Sequence, residues 1–545
     1  MLGTMMNVPL LVSSILRHAA TFHGSTEIVS RTVEGSIHRY TYADAWIRSQ
    51  KLANALQRLD LQFGDRVGTL AWNGYRHLEL YYGVSGSGLI CHTINPRLFR
   101  EQIGYIIEHA GDRIIFSDLT FLPLLESLAD RLSSMKAIVI LTDEAHMPKS
   151  EILPNLVCYE TLIADEPDLF DWPVFDENRA SGLCYTSGTT GDPKGVLYSH
   201  RSSVLHSMAI SLPDVLNLSA SDTIAPVVPM FHVNAWSLPF AAPMVGAKLV
   251  MPGPNLDGAS LHSLFESEGV TFTAGVPTVW LGLLDWMEAH HQTFSTLKRM
   301  AIGGSAPPPV MINRLETMGV TVRHAWGMTE TSPIGLTATL MPKHADLSAD
   351  AKLTLQAKQG RPLFGIELRV DSPEGRPVSR DGKSFGAMMV RGPWVASGYF
   401  QSPKSPAHET DGWFNTGDVV TIDADGFVQI IDRTKDVVKS GGEWISSIEL
   451  ENIAHAHPAI QEAAVVAKPD ERWGERPVLF VQLKPGARFS RADMIDHYTD
   501  RVAKWSIPDD VIIVNELPHT ATGKLLKTAM REIALKQLAS HGVAE

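Results

Sequence analysis

Residues 183–196 read Leu183-Cys184-Tyr185-Thr186-Ser187-Gly188-Thr189-Thr190-Gly191-Asp192-Pro193-Lys194-Gly195-Val196. The apolar run 183–185 is the end of a buried strand. It feeds a loop in which Gly188, Gly191 and Gly195 are interleaved with Thr186, Ser187, Thr189 and Thr190, with Lys194 near its close. Glycines let backbone N–H groups approach an anion, and clustered hydroxyls with one ammonium complete a cradle for phosphate. A Walker loop does not fit: counted from Gly188, G-x-x-x-x-G-K-[ST] needs glycine where Pro193 stands, and Lys194 is followed by Gly195 rather than a hydroxyl. The alternatives left by the loop alone are a phosphate loop of another kind and a solvated turn.

The chain around this loop has 545 residues, 44% of them hydrophobic and 20% charged. That is too long for one core and enough for two or more domains. A net charge of -13 argues against wrapping nucleic acid or lying on anionic lipid. Cys91, Cys158 and Cys184 have no CxxC spacing and read as reduced core residues of an intracellular, cytoplasmic protein. The N-terminal apolar stretch is broken by Ser13, Ser14, Arg17 and His18, so it reads as an amphipathic opening helix, neither a secretory signal nor a bilayer span.

Residues 40–143 alternate helix and strand. Thr41 with Asp44 is a capping-box start, and strand-like runs follow at 67–72, 89–94, 113–117 and 137–141. The same grammar continues at 223–228, 248–251, 270–275 and 300–303, which predicts layered sheets covered by helices. Between about 360 and 431, short alternating runs punctuated by Gly and Pro predict a small antiparallel, barrel-like unit. After a charged connector, Arg433-Thr434-Lys435-Asp436, a helix near 448–455, strands at 463–467 and 478–483, a helix at 491–504 and a strand at 511–514 predict a compact α+β domain. The predicted fold is therefore multidomain α/β: a large N-terminal domain, 1–432, a hinge, 433–436, and a small C-terminal domain, 437–545.

Five further blocks stand in order. Gly303-Gly304-Ser305-Ala306-Pro307 follows an apolar run, where two glycines let a flat ligand lie against backbone. His324-Ala325-Trp326-Gly327-Met328-Thr329-Glu330 ends in a hydroxyl and a carboxylate, the oxygen types hard Mg²⁺ prefers beside phosphate. In Phe414-Asn415-Thr416-Gly417-Asp418, the carboxylate can accept two hydrogen bonds side by side, which suits a ribose diol. Lys439-Ser440-Gly441-Gly442-Glu443-Trp444 and Pro518-His519-Thr520-Ala521-Thr522-Gly523-Lys524 complete the set.

With these blocks, residues 185–195 resemble the YTSGTTGxPKG loop of the adenylate-forming superfamily, which includes acyl-CoA synthetases, luciferases and peptide-synthetase adenylation domains. The resemblance spans 185–524 and departs at Phe414-Asn415, where the family more often has Tyr and Arg. It implies an ATP-dependent acid–CoA ligase with ATP, Mg²⁺ and CoA. The acid is activated as acyl-AMP with release of pyrophosphate, and the CoA thiol then displaces AMP after the C-terminal domain rotates. By the same resemblance, Thr186, Ser187, Gly188, Thr189, Thr190, Lys194, Gly304, Ser305, Ala306, 324–329, Asp418, Arg433 and Lys524 would contact ATP or AMP. Within 324–329 these are His324, Ala325, Trp326, Gly327, Met328 and Thr329. Thr186 and Glu330 would hold the metal, Lys524 would stabilise the α-phosphate while the acyl carboxylate attacks it, and Lys435 would be the hinge. Lys439, Gly441, Gly442, Glu443 and Trp444 would receive CoA. His232, in the catalytic set, would line the acyl pocket with Trp236, Val276, Pro277, Trp280, Gly303 and Pro333.

Trp236 sits where fatty acyl-CoA synthetases have a gating tryptophan. Bulky Trp236 and Trp280 point to a short or medium apolar acid, and no acidic residue in 229–236 would pair an amino group. The texture resembles bacterial medium-chain fatty acyl-CoA synthetases and 3-methylmercaptopropionyl-CoA ligases, whose acids present nearly the same soft apolar tail. Relatives are often dimers, so a homodimer is implied by analogy. An adenylation unit loading a carrier protein is the other enzyme reading, and would favour a fused carrier. A non-catalytic nucleotide-binding protein would be expected to have lost Lys524, Glu330 or Asp418, and all three are present.

Overall fold

The structure, a computed structural model, describes residues 1, 3–153, 156–186, 192–372, 374–402, 405–408, 411–441, 443–519 and 525–541, the side chains of 443 and 537–541 excepted. Two compact units emerge, one of residues 1–188, 192–367 and 390–414, the other of 189–191, 368–389 and 415–545.

Among the described residues the first unit contains a nine-stranded and a seven-stranded sheet. In the nine-stranded sheet, Glu27–Arg31, Lys248–Met251, Thr223–Pro226, Phe272–Gly275, Arg299–Ile302 and Thr321–Gly327 run parallel, with antiparallel strands at both edges. The central strands are short and mostly apolar, as expected where helices cover both faces. Their core includes Val29, Val250, Phe265, Trp280, Met300 and Ile312. The seven-stranded sheet places Ala180–Tyr185 parallel to Ile90–Thr93 and antiparallel to Gly195–Ser199. The phosphate-type loop therefore leaves the carboxyl end of a parallel strand, the edge where open α/β sheets bind ligands.

Local signals account for the helices. Thr41 Oγ1 accepts from Asp44 N–H at 3.3 Å, and Thr41 N–H donates to Asp44 Oδ2 at 2.9 Å, so the capping box starts the helix Tyr42–Arg58. The opening helix is Val12–Phe22, with Val12, Ile15, Leu16 and Ala19 buried. The three cysteines are free and buried, and burial pushes the Cys184 thiol up to about 11.

Glu367–Asp371, Phe385–Arg391, Phe414–Ile422 and Val428–Arg433 form a four-stranded sheet, most of which belongs to the second unit. The C-terminal segment is a five-stranded sheet in which Ile460–Asp470 and Gly474–Leu483 are antiparallel and Asp510–Val514 lies parallel to the latter. Ser447–His455 and Arg491–Tyr498 pack over one face, and Met530 and Ala534 of Lys527–His541 join a separate core. The helix expected over 491–504 stops at Tyr498, because Thr499 takes ψ 136°, outside helical space, and Asp500 follows at φ +62°. Contacts group 368–389 and 415–433 with the C-terminal residues, whereas the sequence reading assigned them to the large domain.

Candidate active site

The phosphate-type loop is pinned at its mouth. Thr186 N–H donates to Lys194 O at 2.9 Å, and Lys194 N–H donates to Thr186 Oγ1 at 3.1 Å. Below the pin, Tyr185 is in register with Gly195, and the Tyr185 hydroxyl lies 2.7 Å from His109 Nδ1. Phe400 N–H donates to Gly195 O at 2.8 Å, and a Cβ at Gly195 would come within 3.1 Å of Leu183, Phe400 and Tyr185. Ser187, Gly188, Thr189 and Thr190 lie outside the described residues.

Glu330 is buried in the short turn Thr329–Thr331. Its Oε1 accepts the Tyr399 hydroxyl at 2.7 Å, its carbonyl accepts Ala396 N–H at 2.7 Å, and Tyr198 donates to the Thr329 carbonyl at 2.7 Å. Lys194 Nζ stands 5.0 Å from the centre of the Tyr399 ring, a cation–π distance. Burial first, then the Glu330 carboxylate, keeps the Tyr399 hydroxyl protonated, so it remains a donor. One tyrosine thus touches both the loop lysine and the buried carboxylate. Sequence reasoning missed Tyr399, which stands 69 residues from Glu330 in a stretch with no distinctive spacing.

The strand Thr321–Gly327 carries the next block. His324 is buried, pushed down to about 4 by burial, and its Nδ1 lies 3.1 Å from Ala357 O. Its ring is therefore neutral and engaged with the fold. Gly327 admits no side chain: a Cβ there would sit 2.0 Å from Pro333 O, across a cis Ser332–Pro333 bond. A Cβ at Gly303 would meet Ala325 O at 2.5 Å and the Trp236 ring at 3.0 Å. Gly304, at φ +80°, faces Val276, and Ser305 and Ala306 beyond it are exposed. Trp236, Val276, Gly303, Gly304 and Ala325 are therefore neighbours. Pro277 begins the helix Pro277–Ala289. Trp280 is fully buried in the core, its ring filling the space a Gly275 side chain would need. The helical spacing of 277–289 turns it inward.

His232, half-buried, leads into a segment of unusual conformation. Val233, Asn234, Ala235, Trp236 and Ser237 have φ of +47°, +52°, +47°, +55° and +63°, a left-handed turn without glycine. Left-handed backbone costs L-residues roughly 1–2 kcal/mol each, so the turn must be held by its surroundings. Asn234 Oδ1 accepts the Tyr81 hydroxyl at 3.2 Å, and Ser237 Oγ lies 2.8 Å from His206 Nδ1. No periodicity in the sequence signals this turn.

In the second unit, Asp418 is buried and pairs with Arg433, Oδ1 to Nε at 2.8 Å. Arg433 Nη1 also donates to Thr416 O at 3.1 Å, so the two strands hold the pair in register. Arg531 donates to Lys435 O at 2.8 Å and pairs with Asp436. Burial lowers the Lys435 pKa. Lys439 Nζ lies 5.9 Å from the Trp444 ring centre. Gly441, at φ +61°, lies flat on Trp473, where a Cβ would approach to 2.8 Å. Glu443 opens the strand Glu443–Ile445, while Gly442 and Lys524 lie outside the described residues.

A phosphate-type loop at a parallel strand end, with a buried carboxylate and glycines that press backbone together, defines a nucleotide-binding α/β enzyme. The chain belongs to the AMP-binding enzyme family, whose model matches residues 15–400, and the AMP-binding enzyme C-terminal domain matches 449–524. It is 51% identical over 533 residues to a medium-chain-fatty-acid–CoA ligase of Ectopseudomonas oleovorans, covering 98% of this chain and 97% of that one. It is 49% identical over 533 residues to a 3-methylmercaptopropionyl-CoA ligase of Ruegeria lacuscaerulensis, covering 98% of each. Among solved structures, the anthranilate CoA ligase AuaEII in complex with anthranoyl-AMP superposes with a TM-score of 0.82 at 26% identity, covering 98% of this chain and 99% of that one.

Proposed function

We propose that the protein is an AMP-forming acid–CoA ligase whose acid is a short- or medium-chain fatty acid or 3-methylthiopropionate. The observation that carries this reading is near-half identity, over almost the full length, to ligases for both kinds of acid. In the first half-reaction an acyl carboxylate oxygen attacks the α-phosphorus of ATP, the bond to the β-phosphate bridging oxygen breaks, and pyrophosphate leaves. In the second, the CoA sulfur attacks the acyl carbonyl and AMP leaves. No enzyme nucleophile is needed, so catalysis is positioning and electrostatics.

The loop 186–194 receives phosphate, Asp418 receives the ribose, and the apolar patch of Trp236, Val276 and Gly303 receives the acyl tail. Lys524 supports the first half-reaction, and the Gly441 loop admits the thiol arm after rotation about Lys435. Thr186 and Glu330 would hold Mg²⁺, which neutralises phosphate charge when bound. The Glu330 carboxylate fits that role: it is buried, Tyr399 takes one lone pair, and a carboxylate has about four. A cytoplasmic homodimer is the arrangement proposed. Among the described residues no helix is long and apolar enough to cross a membrane.

Acid-dependent AMP release with CoA present, across straight-chain acids from acetate to palmitate plus 3-methylthiopropionate, tests the reading. Maximal kcat/KM is expected at short or medium length or with the methylthio acid, and a preference for palmitate would reject the substrate assignment. Tyr399→Phe keeps the ring under Lys194 and removes the bond to Glu330. Orienting partners of metal ligands are worth about 10–100-fold in metal affinity. Titrating Mn²⁺ into the ATP-bound enzyme by electron paramagnetic resonance should show weakening of that order, and unchanged Mn²⁺ affinity would exclude Glu330 as a metal ligand oriented by Tyr399.

A further inference from the structure

The left-handed turn is tied to the segment after Glu330 through one buried histidine. Ile334 N–H donates to His206 Nε2 at 3.0 Å, so that nitrogen carries no proton. The neutral ring must therefore carry its proton on Nδ1, which faces Ser237 Oγ at 2.8 Å. Accepting that hydrogen bond, the Ser237 hydroxyl donates its own to Ser332 O at 3.3 Å. Complete burial pushes the His206 pKa down to about 3, which agrees with the neutral ring that the geometry requires. His206 and Ser237 are both buried, and every polar atom in this relay has one defined role.

The relay reaches Trp236 by one peptide bond. The Trp236 ring lies where a side chain on Gly303 would stand, beside Ala325 O. Its place depends on five consecutive residues remaining left-handed. The side chains of Val233 and Ala235 contribute only packing, while Ala235 N–H donates to Pro229 O at 3.2 Å. Asn234 and Ser237 supply side-chain polar restraints, through Tyr81 and through His206.

We propose that His206 and Ser237 are specificity-determining positioning residues, which lock the left-handed turn so that Trp236 limits the length of the acid. This rests on the reading of Trp236 as an acyl-pocket wall. Without the Ser237 hydroxyl, the turn loses its connection to Ser332 and Trp236 can withdraw, which opens space for additional methylenes. Neither residue touches the acid, so the effect falls on selection among acids rather than on the phosphate chemistry.

The test compares kcat/KM for decanoate and butyrate in the full-length enzyme and in Ser237→Ala, Ser237→Gly and Trp236→Ala, with ATP KM measured in each. Ser237→Gly is included because glycine accepts φ +63° without steric cost and so preserves folding. The decanoate-to-butyrate ratio is expected to rise about tenfold in all three, the scale of discrimination one or two methylenes provide, with ATP KM unchanged. A common fall for both acids in the Ser237 variants, or no change, overturns the inference, since a merely structural role would not alter the ratio. If Trp236→Ala raises the ratio and the Ser237 variants do not, the wall assignment stands and the locking role falls. If Trp236→Ala also leaves it unchanged, both fall.

Discussion

Alanine in place of Lys524 is expected to slow acyl-adenylate formation by about 10²- to 10³-fold, while thioester formation from supplied acyl-adenylate keeps its rate. The asymmetry follows from where charge develops. In the first half-reaction the α-phosphorus passes through a five-coordinate arrangement carrying added negative charge, and a fixed ammonium there stabilises the transition state more than the ground state. In the second, the reacting centre is the acyl carbon, and the phosphate oxygens keep their charge until AMP departs. Pyrophosphate release without CoA reads the first step, and acyl-CoA formation from synthetic acyl-AMP reads the second. Equal loss in both assays would reject the assignment of Lys524 to one of two conformations.

Asp418→Ala should behave differently, weakening both half-reactions, because on the proposed reading Asp418 holds the ribose of AMP in both. Two hydrogen bonds to a charged acceptor are worth about 1.5–3 kcal/mol each, or roughly 3–6 kcal/mol together. At about 1.4 kcal/mol per tenfold, that is on the order of 10²–10⁴ in kcat/KM for ATP. The structure supports a rigid acceptor: Asp418 is buried, and Arg433, one strand over, holds one carboxylate oxygen at 2.8 Å. Asp418→Asn keeps one acceptor of similar shape and is expected to recover part of the loss. An Asp418→Ala enzyme that makes acyl-CoA from supplied acyl-AMP at the normal rate would remove Asp418 from the second half-reaction.

The sequence and the structure agree where one local signal suffices. Residues 183–185 ended a strand and 248–251 formed one at the expected positions, and Thr41 with Asp44 started a helix. Each depends on neighbours within a few residues. Agreement failed where the deciding contact is distant or the backbone unusual. The helix from Arg491 stops at Tyr498 although apolar spacing runs on. Tyr399 reaches Glu330 from a different block, and His206 reaches Ser237 and Ile334 from a third. Blocks of sequence name the candidate site, but the partners that orient it are assembled by topology.

The hydrogen bonds through His206 have one more property. They leave the backbone at Ile334, pass through His206 and Ser237, and return at Ser332, two residues from where they began. The path is a loop of donors all pointing one way, closed through the intervening proline. Each bond in such a loop polarises the next, so its members strengthen one another. Interrupting any link strands a buried donor at one break and a buried acceptor at the other. A second interruption in the same loop therefore removes little that the first left intact, and energies of paired substitutions at His206 and Ser237 should fall well short of their sum.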